Sequence, residues 1–279
     1  MFTYADVTNI MIEKGKAAGV RMADGAEVRA LLVISNAGVF NTFNKLLPKD
    51  APSWDYYQDK LTTVKRSMAS NCLYIGLQDT AENLGLPKTN YWIYPGPNYE
   101  QQEKDFMADP DGTDIPLTYI SFPSAKDPSF VERYPGRATI EIVAPGPFEW
   151  YEEWADETWG KRGDEYEAKK EEYAQRLLAK LYGKFPHLDG KIDYYELSTP
   201  LSTDYFCRYS EGEIYGLDHT PDRFELDWLK PKTRIPGLYL TGQDIMTCGV
   251  VGAMLGGLLT TVAVSGFKGL PLAKKMFVG

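Results

Sequence analysis

Short apolar runs cut by glycine set the pattern of the first fifty residues. Val7 to Ile12 reads as a strand, Gly15 to Gly19 as a turn and Val20 to Met22 as a second strand. The Asp24-Gly25 pair then supplies a hairpin turn back to Val28. The run Ala30 to Ile34 reads as a buried strand that ends at Ser35, Asn36 and Ala37. Thr42 to Leu47 reads as a short helix, and Pro48 to Ser53 as a boundary.

Beyond that boundary the texture changes. CLYIGL (72–77), YWIY (91–94), LTYISF (117–122) and ATIEIV (138–143) are β-branched and aromatic runs separated by Pro, Gly, Asp and Asn. This is the pattern of an antiparallel sheet, and one rich in Tyr and Trp could wall a long apolar tunnel. The longest interruption, Pro95 to Pro116, is polar and acidic and reads as a mobile loop. Glu165 to Tyr182 has the clearest helical period, with Tyr166, Tyr173, Leu177, Leu178 and Leu181 on one face. Asp164 stands at its N-cap position, and Gly183 with Pro186 ends it. Ile192 to Leu197 returns as a strand, Thr199-Pro200 turns it, and Tyr205 to Thr220 reads as a loop-rich crossover.

The chain is organised around GLYLTGQDIMTCGVVGAMLGG at 237–257. A short apolar strand at Leu238 to Leu240 breaks at Gly242, presents Gln243 and Asp244, and enters a small-residue helix near Gly249. Strand, turn and helix in immediate succession are how α/β sheets build a ligand pocket beyond their carboxyl ends. A first turn of Gly-Val-Val-Gly offers backbone N–H groups and positive partial charge, without bulk, to something flat or anionic.

Composition narrows the partners. A formal charge of −9 over 279 residues argues against nucleic acid and against an anionic membrane held by charge alone. Three scattered cysteines (Cys72, Cys207, Cys248) without a CxxC pair indicate neither a disulfide framework nor a metal site, so a reducing, cytoplasmic setting is expected. The segment from Gly249 to Phe267 is uncharged for 19 residues, near the lower limit for a membrane span. Its glycines, threonines and serine favour a buried helix instead. The first ten residues do not read as a signal peptide, and the chain is expected to begin inside a domain. No GxSxG elbow, Walker loop, HExxH or EF-hand occurs.

TGQDIMTCGVVGAMLGG resembles the C-terminal flavin-contacting segment of the phytoene desaturase and retinol saturase group of FAD-dependent oxidoreductases, the retinol saturase branch in particular. EIYGLDHTPDRF (213–224) and VRMADGAEVRALLVISNAGVFNTFNKLLP (20–48) agree with it, in the family's order. The resemblance implies an α/β (α+β) chain: a partial FAD/NAD(P)-binding domain of the glutathione-reductase-like kind, lacking its N-terminal Rossmann βαβ, plus an antiparallel-sheet substrate domain. Residues 1–48 would be the remnant of the FAD-binding domain, 49–230 the substrate domain and 231–279 the FAD-contacting strand and helix.

The same resemblance implies a cofactor set of Val7 (through its backbone), Gly242, Gln243, Asp244, Gly249, Val250, Val251, Gly252 and Ala253. Asp244 would accept hydrogen bonds from ribityl hydroxyls or sit by the pyrophosphate; the plainer reading is a helix N-cap. Cys248 would be a packing element. Asp218 and His219 read either as an acid–base pair or as turn chemistry, and no catalytic residue is assigned. The implied activity is desaturation or saturation of a carotenoid- or retinoid-like polyene, with FAD as cofactor and NAD(P) as electron donor or acceptor. The GxGxxG loop has no counterpart here, so the chain alone is expected to bind FAD weakly or not at all. An N-terminal half-protein, an apolar lipid-like substrate and peripheral membrane contact are the expected partners. Two readings stand side by side: a C-terminal oxidoreductase half that is active once complemented, and a truncated, inactive remnant or apolar-ligand-binding module.

Overall fold

The computed structural model describes residues 1–269 together with Pro271 and Lys274. In chain order the elements are β1 (Val7–Glu13), β2 (Lys16–Met22), β3 (Glu27–Arg29), β4 (Val33–Ser35), α1 (Trp54–Leu61), β5 (Ser70–Gln78), β6 (Tyr91–Ile93), α2 (Tyr99–Ala108), β7 (Thr118–Ser121) and β8 (Arg137–Pro145). Then come α3 (Gly163–Lys184), β9 (Ile192–Ser198), α4 (Pro200–Cys207), β10 (Leu238–Leu240) and α5 (Gly249–Ser265). They segregate into two compact units, one of residues 1–67 with 215 onward, the other of residues 68–214.

In the first unit β1, β2 and β3 form an antiparallel meander. The first turn falls on Lys14 and Gly15, both at positive φ (49° and 76°), so β2 starts at Lys16, inside the stretch the sequence assigned to the turn. Two consecutive residues of positive φ match the right-handed twist of the flanking strands. β4 and β10 make a separate parallel pair. Parallel strands are ordinarily covered on both faces, and the 30–34 run was expected to be buried. It is not: Leu31 is 92% exposed and Ile34 is also open, while Ser35 turns inward. The core of this unit gathers Ile10, Val39, Phe43, Tyr57, Leu61, Leu217, Ile235, Leu238 and Leu240.

Phe43, on a π-helical turn over Asn41–Leu46, stacks on Tyr57 with centroids 3.8 Å apart. The Tyr57 hydroxyl in turn accepts the Arg234 N–H at 2.7 Å. These contacts hold residues 49–67 in the first unit and Leu217, buried in the same core, holds 215–230, so the division falls at 67/68 and 214/215, where the sequence suggested 48/49 and 230/231.

The second unit is a five-stranded sheet of order β6-β7-β8-β5-β9, antiparallel throughout, as the alternating pattern predicts. Leu73, Ile75 and Leu77 of β5 and Ile140 and Ile142 of β8 share one buried face, which α3 covers with Tyr173, Leu177, Leu178 and Leu181. Burying each Leu or Ile contributes roughly 1.5–3 kcal/mol, enough for this face to fix the register. Three local expectations are corrected. Asp164 lies within the first turn of α3, where it meets the helix dipole, and is not its cap. The segment 95–116 holds α2, because Phe106 is fully buried against Trp150. Pro200 begins α4 behind a reciprocal Thr199–Ser202 capping box, where a turn was expected. Among the described residues no helix is long and apolar enough to cross a membrane.

Candidate functional site

The site lies where β10 ends. The Thr241 N–H donates to the Ser35 carbonyl at 2.9 Å, closing the last rung between the parallel strands. Gly242 follows at φ 92°, and the space a Cβ would need is filled by the Asn36 side-chain oxygen. Residues 243–245 make one tight turn, and α5 starts at Gly249.

Gly252, Gly256 and Thr260 are the buried residues of α5 and recur every four positions along one stripe. Gly256 lies on the Gly242 carbonyl and Gly252 on the Thr247 carbonyl, each so closely that an added Cβ would overlap it. The Thr260 hydroxyl bonds the Leu240 carbonyl at 2.8 Å. Small residues thus let the helix backbone rest on the end of its own strand. The rest of the helix is exposed or half-buried, where the sequence suggested a buried helix: Val250 is 88% exposed, Val251 and Met254 are exposed as well, and Leu255 and Leu258 are half-buried.

The start of α5 carries no side-chain cap and no acidic residue in its first turn. The first N–H groups of a helix have no intrahelical partner and sit at the positive end of its dipole. Here they belong to exposed residues, with open space around the Gly249 α-carbon. Cys248 is exposed at the cap position, so it is not the packing element expected.

Asp244 is held by the protein's own backbone amides. It is 3% exposed; its Oδ2 accepts the Val39 N–H at 2.8 Å and its Oδ1 the Leu217 N–H at 2.9 Å. Gly216 packs against Oδ1 so tightly that a side chain there would overlap it. The buried Arg223 completes the clasp: its guanidinium donates to the carbonyls of Leu217 (3.0 Å), Gln243 (2.8 Å) and Asp244 (2.9 Å). Burial pushes the Asp244 carboxyl above its ordinary range, while the two amides and the Arg223 cation pull it back. This carboxylate ties residues 39, 217 and 244 together from inside.

Arg223 also approaches His219, with Nη1 3.2 Å from Nε2. A guanidinium can only donate, so the imidazole accepts and is neutral. Burial, then the Arg223 cation, holds its pKa below the usual histidine value. The Asp218 carboxylate accepts the backbone N–H of His219 at 2.8 Å.

Gly242, Gln243 and Asp244 share the turn, and Gly249, Val250, Val251, Gly252 and Ala253 form the first turns of α5. Val7 stands apart from them, at the start of β1 opposite Met22, on the three-stranded sheet. Arg223 and Gly216 were missed. Both lie within the quoted 213–224 stretch, but a charged residue in a polar loop gives no local sign that it is buried.

A parallel strand, a glycine turn and an uncapped helix resting on the strand's end belong to a mixed α/β chain with antiparallel sheets, and a solved structure shows the same fold. The crystal structure of an oxidoreductase from Methanosarcina mazei superposes with a TM-score of 0.51 at 19% identity, over 90% of this chain and 47% of that one. No protein-family model matches. All-trans-retinol 13,14-reductase from Homo sapiens is 37% identical over 274 residues, covering 95% of this chain and 45% of that protein. Phytoene desaturase (neurosporene-forming) from Rhodobacter capsulatus is 26% identical over 90% of this chain and 46% of that protein. By sequence the chain is a homologue of the all-trans-retinol 13,14-reductases and, more distantly, of the carotenoid desaturases. It spans about half the length of these curated relatives.

Proposed function

We propose that this chain forms part of an FAD-dependent oxidoreductase that adds or removes hydrogen across a carbon–carbon bond of a retinoid- or carotenoid-like polyene. The first unit is then the flavin side and the second the substrate side. The observation that carries the reading is the uncapped, exposed start of α5, directly behind the Gly242 turn, in a chain homologous over 95% of its length to a retinol reductase. Gly249, Val250 and Val251 fit a flavin. Among the described residues their amides carry no side-chain cap, the space around the Gly249 α-carbon is open, and the first turn of the helix holds no acidic residue to repel negative charge on a reduced ring. When bound, FAD would supply the centre that gives or takes hydride. The chain's own part is to hold that ring through these backbone groups, with Asp244 and Arg223 fixing the turn that aims them. NAD(P) remains the proposed electron donor or acceptor. The phosphate-binding portion is assigned to residues outside this chain.

The chain should retain flavin absorbance through gel filtration only when expressed together with the remaining half of such a relative, and Val250→Glu should abolish it by placing a carboxylate at the helix start. Equal flavin retention by wild type and Val250→Glu in the complemented protein would remove α5 from the cofactor site. No retention by the complemented wild type would leave the apolar-ligand module as the surviving reading.

A further inference from the structure

The inference concerns how the substrate-side unit distinguishes one polyene from another, and it rests on the polyene chemistry proposed above. One face of the β6-β7-β8-β5-β9 sheet is turned away from α3. Cross-strand register on that face puts Trp92 opposite Tyr119, Tyr119 opposite Val143 and Val143 opposite Cys72. The four side chains make one apolar row straight across the strands, roughly 14 Å over three inter-strand steps. Trp92 and Tyr119 lie with ring centroids 4.8 Å apart, and Trp92 is 60% exposed.

Two residues along the strands the next row reads Ser121, Glu141, Tyr74, Glu196. Most of these groups are engaged. The Ser121 hydroxyl takes Lys126 Nζ at 2.8 Å, and Glu196 accepts the Tyr194 hydroxyl at 2.9 Å. Burial, Cys72 and Glu141 push the Tyr74 hydroxyl well above its usual range, and burial pushes the Cys72 thiol up to about 11, so both stay neutral. Glu141 differs. It is half-buried between Ser121 and Tyr74, and its carboxylate makes no hydrogen bond or ion pair with any described residue. As a pure acceptor, a carboxylate with no protein donor is open to a hydroxyl brought by a ligand.

We propose that this face takes a long apolar chain along the row from Trp92 through Tyr119 to Val143, with one terminal hydroxyl donating to Glu141, two residues away along β8. Glu141 is then the residue that selects an alcohol over a hydrocarbon polyene. The apolar row supplies affinity without direction, and the carboxylate supplies the direction. A charge-assisted hydrogen bond of this kind discriminates by about tenfold or more.

The test uses the whole chain and two probes, all-trans-retinol and its methyl ether, which differ only in the donor. Tryptophan fluorescence is followed in wild type, Glu141→Gln and Glu141→Leu. Wild type should prefer the alcohol by about tenfold; the preference should shrink in Glu141→Gln and fall to within about twofold in Glu141→Leu, with ether affinity kept. Retained ether binding shows that the variant sheet is intact. A preference absent from wild type, or undiminished in both variants, overturns the assignment while leaving the polyene reading in place. Failure of wild type to bind either probe overturns both. If Glu141→Leu binds neither probe, Glu141→Gln decides: lost preference supports the proposal and kept preference ends it.

Discussion

A carboxylate closed to water must find its donors inside the protein, and Asp244 finds them at Val39 and Leu217, 205 and 27 residues away in the chain. That separation is why its role was not legible. The sequence shows an acid in a glycine-flanked turn, a setting equally suited to a ligand contact, a helix cap or an internal clasp, and local pattern carries no information about amides so remote. Arg223 was hidden for the same reason. Its consequence reaches His219, which accepts from the guanidinium and is held neutral by burial and by that cation. The folded-state pKa is thus depressed below the ordinary value near 6.5. Between the two values the unfolded chain binds more protons, so folding stability rises with pH through this window and is lost as pH falls below about 6.5. Urea unfolding midpoints measured from pH 7.5 down to 5.5 should therefore fall more steeply for wild type than for His219→Gln, whose amide can accept without charging. Parallel slopes would mean that His219 is not coupled to Arg223 in the folded protein.

At the scale of elements, the antiparallel strands were readable because each buries one face, and burial writes a period of two into the residues themselves: Leu73, Ile75, Leu77 and, opposite, Ala138, Ile140, Ile142. α2 was not readable, since Phe106 is its one buried residue and its remaining apolar positions, Tyr99, Met107 and Ala108, are exposed among polar ones. α5 was placed correctly as an element but its burial was misjudged. A uniformly apolar helix gives no moment to show which stripe packs, and the glycines, which do mark it, look like flexibility in sequence. They are close-approach positions, and two adjacent ones make the point testable. A Cβ on Gly256 would overlap the Gly242 carbonyl, whereas one on Gly257 would meet only the Thr241 hydroxyl at 4.0 Å. Gly256→Ala should destabilise by about 1–3 kcal/mol as the helix is forced off the strand end. Gly257→Ala should be neutral or stabilising by up to about 1 kcal/mol through helix propensity. Chemical denaturation of both variants checks this, and a stable Gly256→Ala would show that α5 does not rest on the turn as described.

For the molecule as a whole, the two units differ in how the chain builds them. Residues 68–214 are one continuous segment with its own core, running from Leu73 to Leu197 through Phe106, Ile142 and Leu177. Its ends meet, because the Ile214 N–H donates to the Met68 carbonyl at 3.1 Å. The other unit is drawn from both termini. β4 comes from one and its partner β10 from the other, and Phe43 and Tyr57 share a cluster with Ile235 and Leu238. A boundary read from Pro48 could not register this, since the proline marks a local turn while the division is decided by which core the flanking side chains enter. The architecture sets a clear expectation for dissection. Residues 68–214 expressed alone should unfold in a single transition, coincident by far-UV circular dichroism and by tryptophan fluorescence, because nothing in that core is borrowed. Residues 1–67 and 215–279 should each be unfolded in isolation, with one strand of the parallel pair and half of the cluster apiece, and should regain near-UV signal from the Phe43–Tyr57 region only when mixed. If the excised 68–214 segment instead binds ANS and lacks a cooperative transition, its core depends on residues outside it, and the division at 67/68 and 214/215 does not separate independent folding units.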